Sequence, residues 1–283
     1  MFDTVEYLTI GHVTRDILPD TSYVVGGTVS YAALTVAALR RSVGIVTSAG
    51  RGFDLSAFHG LATVSCSVAE HTTTFRNQYI NGSRRQVVYG VAELLTPQSI
   101  PDVWSSPIIA HVGPIMGECD PALVTAFPES TFVGITPQGW MRSMNGGGEV
   151  LHQPWHGAVS LLGHASAVVF SLDDILGDWD VARRYAAMTP LLAVTMGRNG
   201  GVLFIKGEPV RFSALTVDEV DPTGSGDIFA AVFFDALVHD VPPVEAARFA
   251  ACVASRSVTR VGLNGVPCTE DIDVCRGLLG YDH

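Results

Sequence analysis

Seven residues, Asp221-Pro222-Thr223-Gly224-Ser225-Gly226-Asp227, set two carboxylates and two glycines in a turn that runs directly into the apolar stretch 228–237. That stretch is apolar on nearly every side, which predicts a buried helix rather than a surface one. A helix opening at this turn leaves the amides of Gly224, Ser225 and Gly226 as outward-pointing donors. Together they carry about half a positive charge, which suits a phosphate or a developing oxyanion. Asp227 sits among those donors, where its carboxylate is stabilised. A carboxylate beside an anion-binding nest makes chemical sense when it removes a proton from a group attacking a phosphate. The plainer alternative is a capped helix, with glycine for the turn and aspartate for the dipole.

The seven residues resemble the signature of the ribokinase-like (PfkB) sugar and nucleoside kinases, D-T-x-G-A-G-D or D-P-x-G-A-G-D before a long buried helix. The resemblance implies Asp227 as catalytic base on an acceptor hydroxyl, with Gly224, Ser225 and Gly226 as the anion hole for the transferring phosphoryl group. Further segments fall in the family's order. Asp16 and then Gly26-Gly27 precede a helix, which implies Asp16 on the acceptor's hydroxyls and backbone in close approach at the glycines. Val194-Thr195-Met196-Gly197-Arg198-Asn199-Gly200 is similar to the family's T-x-G-x-x-G, implying Thr195, Gly197 and Gly200 on the donor nucleotide. Ala250, Val253 and Asn264 match the adenine pocket, and Asp221 with the Thr223 carbonyl matches a monovalent cation site, K+ being the expected ion. The family's N-x-x-E, whose Glu organises Mg2+, here reads Ser171-Leu172-Asp173-Asp174, leaving Asp174 to do that work with a shorter reach.

The acceptor side departs from ribokinases. Where G-G-x-x-x-N is usual, this chain has Gly26-Gly27-Thr28-Val29-Ser30-Tyr31. With Gly11-His12 ahead of Asp16 and Gly90-Val91-Ala92 after the second lid segment, this looks like the plant-type myo-inositol kinases. An aromatic at Tyr31 suits the C–H face of a cyclitol, leaving Asp16, Arg76 and Asn77 for its hydroxyls. Tyr31 as simple filling at the junction of helix and lid remains an equal alternative. A nucleoside acceptor is the main competing substrate, and a sugar-binding module without catalysis is the reading from another class.

The elements that must position these groups follow from pattern. Tyr7–Ile10 and Val43–Gly50 read as strands around a helix at 30–41. Further strands are expected at 108–112, 131–135, 167–170, 191–196 and 201–205, with helices at 121–127, 180–188, 227–238 and 243–258. Strand–helix alternation predicts a doubly wound parallel α/β sheet. Residues 72–80 and 83–89 flank Asn81-Gly82, a hairpin outside that alternation, which reads as a small β lid. The expectation is one ribokinase-like domain over residues 1–283 with lid segments at about 13–27 and 72–90, and a surface excursion at 137–165.

Composition sets the limits. Of 283 residues 47% are hydrophobic and 16% charged, with 17 basic and 28 acidic residues and a net charge of −11. That is ample core material and no basic surface for nucleic acid. Five cysteines without C-x-x-C spacing predict reduced thiols rather than a disulfide framework or zinc site. No apolar run reaches the ~20 residues of a membrane helix, and no signal-peptide pattern opens the chain. A cytoplasmic protein is therefore expected, with ATP and Mg2+ as cofactors, a small sugar or polyol as partner, and an exposed lid edge inviting a homodimer. There is no P-loop, no H-R-D and no G-x-S-x-G elbow around Ser30, Ser171 or Ser225, which excludes three other enzyme classes.

Overall fold

The computed structural model describes residues 3–80 and 83–280, so the expected Asn81-Gly82 turn lies outside the described residues. In chain order the strands are β1 (Tyr7–Ile10), β2 (Thr14–Ile17), β3 (Tyr23–Gly26), β4 (Val43–Gly50), β5 (Thr63–Ala69), β6 (Thr74–Ile80), β7 (Ser83–Gly90) and β8 (Ile109–Val112). They continue as β9 (Phe132–Ile135), β10 (Arg142–Met144), β11 (Val150–His152), β12 (Ala167–Ser171), β13 (Leu191–Thr195), β14 (Gly201–Ile205) and β15 (Glu208–Phe212). The helices are α1 (Thr28–Ala38), α2 (Ala158–Leu161), α3 (Trp179–Ala186), α4 (Ser225–Val238), α5 (Pro243–Ser257) and α6 (Thr269–Leu279).

Among the described residues the large sheet has nine strands in the order β15-β14-β13-β12-β9-β8-β1-β4-β5. From β13 to β5 every neighbouring pair is parallel. The chain winds outward from β1 through β4 to β5, then returns to the other side at β8, so the winding reverses between β1 and β8. The edge strands β14 and β15 are antiparallel. Their two-residue connection explains why: Lys206 and Gly207 both have positive φ, 50° and 87°, as a tight hairpin requires. The sheet is thus mostly parallel, with an antiparallel edge.

Period-two alternation sends side chains to two separate cores. Tyr7, Ile45, Ile109 and Ala193 pack with α1, α4, α5 and α6 on one face, while Leu8, Ile10, Val46 and Val112 pack with Trp104, Trp140 and Trp155 on the other. Helix α4 is buried from Ile228 to Ala236, and Phe234 lies directly over Gly134 of β9, where a Cβ would collide with its ring. That contact lays α4 along β8 and β9 and brings its N-terminus to the C-terminal ends of the parallel strands.

A second sheet, in the order β3-β2-β6-β7, stands over that end. It joins β2 and β3 antiparallel, β2 and β6 parallel, and β6 and β7 antiparallel.

Three expectations need correction. Residues 121–127 form a single tight turn at Pro121–Thr125, where Asp120 accepts from the Ala122 amide at 2.8 Å, and no α-helix follows. The region 137–165 is no mere excursion: it holds the β10–β11 hairpin and part of the cleft wall. Cys252 and Cys275 are joined as a disulfide between α5 and α6, against the expectation of reduced thiols throughout. Their 23-residue separation carries no motif; the packing of two helices makes the pair. Cys66, Cys119 and Cys268 are free.

Candidate active site

The cleft between the sheets has a volume of about 790 Å3 and runs along the strand ends. Thr136 follows β9, Ser171 ends β12 and Thr195 ends β13, and all three line it. Ligands of open parallel sheets bind at such ends, near the point where the winding reverses.

At the centre stands Asp227 in the first turn of α4. Against the stabilised carboxylate expected at a helix start, burial pushes its carboxyl from the ordinary 3.8 up to about 6; the Thr28 hydroxyl and the Arg142 guanidinium pull it down, and Asp174 pushes it up. Gly224 caps the helix with φ 78°, a left-handed conformation that favours glycine. The Tyr31 ring covers Gly224 so closely that any Cβ there would strike it. Tyr31 is 2% exposed, and burial, with the charges of Asp16, Asp221 and Asp227, raises its hydroxyl well above the usual range. Both conditions select glycine.

The three amides expected as an anion hole are not equivalent. The Ser225 amide closes the turn by donating to the Pro222 carbonyl at 3.2 Å. Among the described residues nothing accepts from the amides of Gly224 and Gly226. The cleft touches Pro222 to Asp227 throughout.

On the acceptor side, Asp16 projects from β2 and accepts from Thr14 Oγ1 at 3.1 Å. Gly26 is bare because a Cβ would collide with the Asp16 carboxylate, and Gly27, φ 91°, because one would strike the His12 carbonyl. The Gly-Gly pair thus makes room for Asp16 and for the turn into α1. From β6, Phe75 and Asn77 face the cleft, and Gln86 of β7 donates to Asn77 Oδ1 at 3.2 Å. Strand alternation turns Arg76 to the opposite face, so it is not among the cleft residues. That corrects its expected place beside the hydroxyls.

On the donor side, Thr195, Gly197 and Gly200 line the cleft. Gly200, φ 73°, has no room for a Cβ beside the Phe212 carbonyl. Ala250 and Val253 are fully buried and face away, while their helix neighbours Ala251, Ala254, Ser255 and Val258 line the cleft opposite residues 214–217. Asn264 is exposed and outside it. The face that α5 turns to the cleft therefore lies one position on from Ala250 and Val253. Ser255 Oγ accepts from the Leu215 amide at 3.1 Å and holds that loop against the helix.

Asp174 lines the cleft, accepting from the Ser171 amide at 2.8 Å and from Gln138 Nε2 at 2.9 Å. With Asp173 it provides hard oxygen donors of the kind that would suit a Mg2+. Among the described residues no group of three ligand-type side chains could hold a metal by itself. Asp221 accepts from the Thr223 amide at 3.0 Å and the Gly262 amide at 2.8 Å, tying the turn to the loop after α5. Among the cleft residues that the sequence does not single out are Arg142, at the start of β10 and close enough to act on Asp227, and Thr136. The only signal for Arg142 was a lone basic residue in a segment without periodicity.

Residues 172–269 match the model for the pfkB family carbohydrate kinase. The bifunctional protein HldE of Caulobacter sp. (strain K31) is 34% identical over 85 residues, 30% of this chain and 17% of that protein. Ribokinase of Arabidopsis thaliana is 39% identical over 80 residues, 28% of this chain and 21% of that enzyme. The matched segments therefore span about a fifth of those relatives' length. Among solved structures, a pyrophosphate-dependent kinase in the ribokinase family, complexed with a pyrophosphate analog and myo-inositol, superposes with a TM-score of 0.79 at 20% identity, covering 95% of this chain and 99% of the other. The structure of Arabidopsis thaliana ribokinase with ribose and ATP gives a TM-score of 0.70 at 18% identity, covering 96% and 98%. At these identities the likeness establishes a shared fold. Among the described residues no helix is long and apolar enough to cross a membrane.

Proposed function

Starting from residues 172–269, which carry a pfkB family carbohydrate kinase domain, and from a ribokinase fold throughout, we propose that this protein transfers the γ-phosphoryl group of ATP to a hydroxyl of a small polyol, myo-inositol or a close analogue. One observation carries it: a carboxylate raised to about 6 stands at the helix start, between the Asp16 pocket and the Thr195–Gly197 turn. A general base works best near the operating pH, and burial brings Asp227 there. Asp227 takes the acceptor hydroxyl's proton as its oxygen attacks the phosphorus in line. The amides of Gly224 and Gly226 and the Arg142 guanidinium face the charge that spreads over the phosphoryl oxygens. Asp173 and Asp174 would hold Mg2+, which when bound supplies neutralising charge on the donor phosphates. The four-stranded sheet above the cleft acts as a lid that excludes water, a competing acceptor.

The slot between residues 214–217 and α5, lined by Leu215, Val217, Ala251, Ala254 and Val258, is apolar and suits a flat heterocycle, which supports ATP. The fold's likeness to a pyrophosphate-dependent kinase makes pyrophosphate the competing donor. The test is a panel of purified protein with Mg2+, ATP or pyrophosphate as donor, and myo-inositol, ribose, fructose, adenosine or cytidine as acceptor. The expected result is the highest kcat/KM for myo-inositol with ATP. A nucleoside ahead by tenfold, ~1.4 kcal/mol of transition-state preference, overturns the polyol assignment. Transfer from pyrophosphate alone replaces the donor.

A further inference from the structure

Beneath the cleft lies a buried polar chain that the reaction as described does not use. Tyr7 of β1 is 1% exposed, and its hydroxyl lies 3.2 Å from Nδ1 of His111 on β8, itself 1% exposed. His111 Nε2 lies 3.0 Å from Oγ1 of Thr136, the residue that follows β9 and lines the cleft. The imidazole also stands edge-on to Phe234 of α4, ring centroids 5.1 Å apart. Among the described residues neither the Tyr7 hydroxyl nor Thr136 Oγ1 has any other hydrogen-bond partner.

The direction of each bond follows from what burial permits. Burial lowers the His111 imidazole to about 3, so the ring is neutral, with one donor and one acceptor nitrogen. Burial also keeps the Tyr7 phenol protonated. If Nδ1–H donated to Tyr7, the phenolic proton would be left buried without an acceptor among the described residues, which is the costlier arrangement. Tyr7 therefore donates to Nδ1. The ring proton is then on Nε2 and donates to Thr136 Oγ1, so the threonine's own proton has no acceptor among the described residues. It is left to the cleft.

We propose that Thr136 is an acceptor-binding residue whose hydroxyl proton is aimed at a polyol oxygen by Tyr7 and His111, which act as positioning residues. The placement fits the acceptor side. A Cβ on Gly113 would meet both the Thr28 methyl and Thr136 Oγ1, so these two are neighbours across a bare glycine, and the Thr28 hydroxyl is close enough to Asp227 to lower its carboxyl. Asp16 and Asp227 can only accept from hydroxyls when ionised, whereas every polyol oxygen also offers lone pairs. Thr136 supplies a donor that those carboxylates lack. The inference rests on the proposed polyol reading for the ligand's identity only; the tautomer does not depend on it.

Two measurements test it. Long-range 1H–15N correlation on labelled protein should show His111 with its proton on Nε2, and Tyr7→Phe should abolish that bias; an Nδ1–H tautomer in the unsubstituted protein overturns the relay whatever the protein catalyses. Kinetics and calorimetry with myo-inositol should show Thr136→Val weakening acceptor binding by roughly tenfold, the loss of one hydrogen bond, with kcat and donor KM within threefold. Thr136→Ser should restore binding to within threefold. Tyr7→Phe should weaken it in the same direction and add nothing to Thr136→Val. Unchanged myo-inositol affinity in a folded Thr136→Val, or full additivity of the two changes, overturns the assignment. If the unsubstituted protein neither binds nor phosphorylates any polyol, the polyol reading falls, and the tautomer alone decides the relay.

Discussion

Asp227→Asn should remove activity and strengthen the fold in the same molecule. The carboxyl's rise from 3.8 to about 6 means the folded chain holds that proton more tightly than the unfolded chain does. Its contribution to stability is thus fully present below pH 3.8 and is lost as the pH climbs through 6. Above pH 6 the ionised carboxylate opposes folding by up to about 3 kcal/mol, at ~1.4 kcal/mol per pH unit. The group opens onto the water of the cleft, which screens it, so about 1–2 kcal/mol is the realistic figure. An Asn of the same shape carries no charge, and in a chain of this size the gain corresponds to about 2–6 °C in Tm at pH 7.5. At pH 4, where the wild-type group is largely protonated, the difference should nearly vanish. Turnover should fall ~10²–10⁴-fold because the amide takes no proton. Wild-type kcat/KM should rise about tenfold per unit below pH 6 and level off above it. Thermal melts at the two pH values and a pH–rate profile measure all three. A variant within a few-fold of wild-type turnover refutes the base assignment, and one less stable at pH 7.5 refutes the burial argument.

Asp174→Ala should raise the Mg2+ concentration for half-maximal rate by roughly tenfold, and losing the bond from the Ser171 amide should cost about 1 kcal/mol of stability; an unchanged Mg2+ titration removes Asp174 from the metal site. Cys275→Ala should cost ~3 kcal/mol, the typical value for a bridge closing a loop of this length, while kcat at 25 °C stays within threefold because Cys275 lies outside the cleft; an unchanged Tm would mean that the bridge does not form.

What could be read from the sequence was local. The turn at 221–227 works through consecutive residues, so its order alone carries the chemistry, and Tyr7–Ile10 and Val43–Gly50 are continuous apolar runs. The strands Thr14–Ile17 and Glu208–Phe212 are short and mixed in polarity, and acquire their pairing only from partners elsewhere. Arg142 reaches Asp227 from a segment 85 positions away, and Tyr7, His111 and Thr136 meet only because β1, β8 and β9 lie side by side. Cys252 and Cys275 likewise meet through helix packing. Arg76, Ala250 and Val253 each lie one residue from a position that lines the cleft, because a one-residue shift reverses a strand's face and turns a helix by 100°.

The charge around the cleft decides what else donor binding requires. Its walls carry five carboxylates, Asp16, Asp173, Asp174, Glu219 and Asp227, against two guanidiniums, Arg142 and Arg198. Arg198 already faces Glu219 at 3.6 Å, so an entering phosphate must compete for it. A polyanion brought into such a site is repelled at long range by a chain of net charge −11 and attracted only at short range. Two local sources can supply that attraction, the amides at the start of α4 and the Arg142 guanidinium, and under the proposed reaction Asp173 and Asp174 would hold a third, a divalent cation. The first two are built into the backbone and the β10 strand. Under the proposed reaction the third would arrive with the donor as its Mg2+ complex, which carries less charge than the free nucleotide and would be repelled less by these walls.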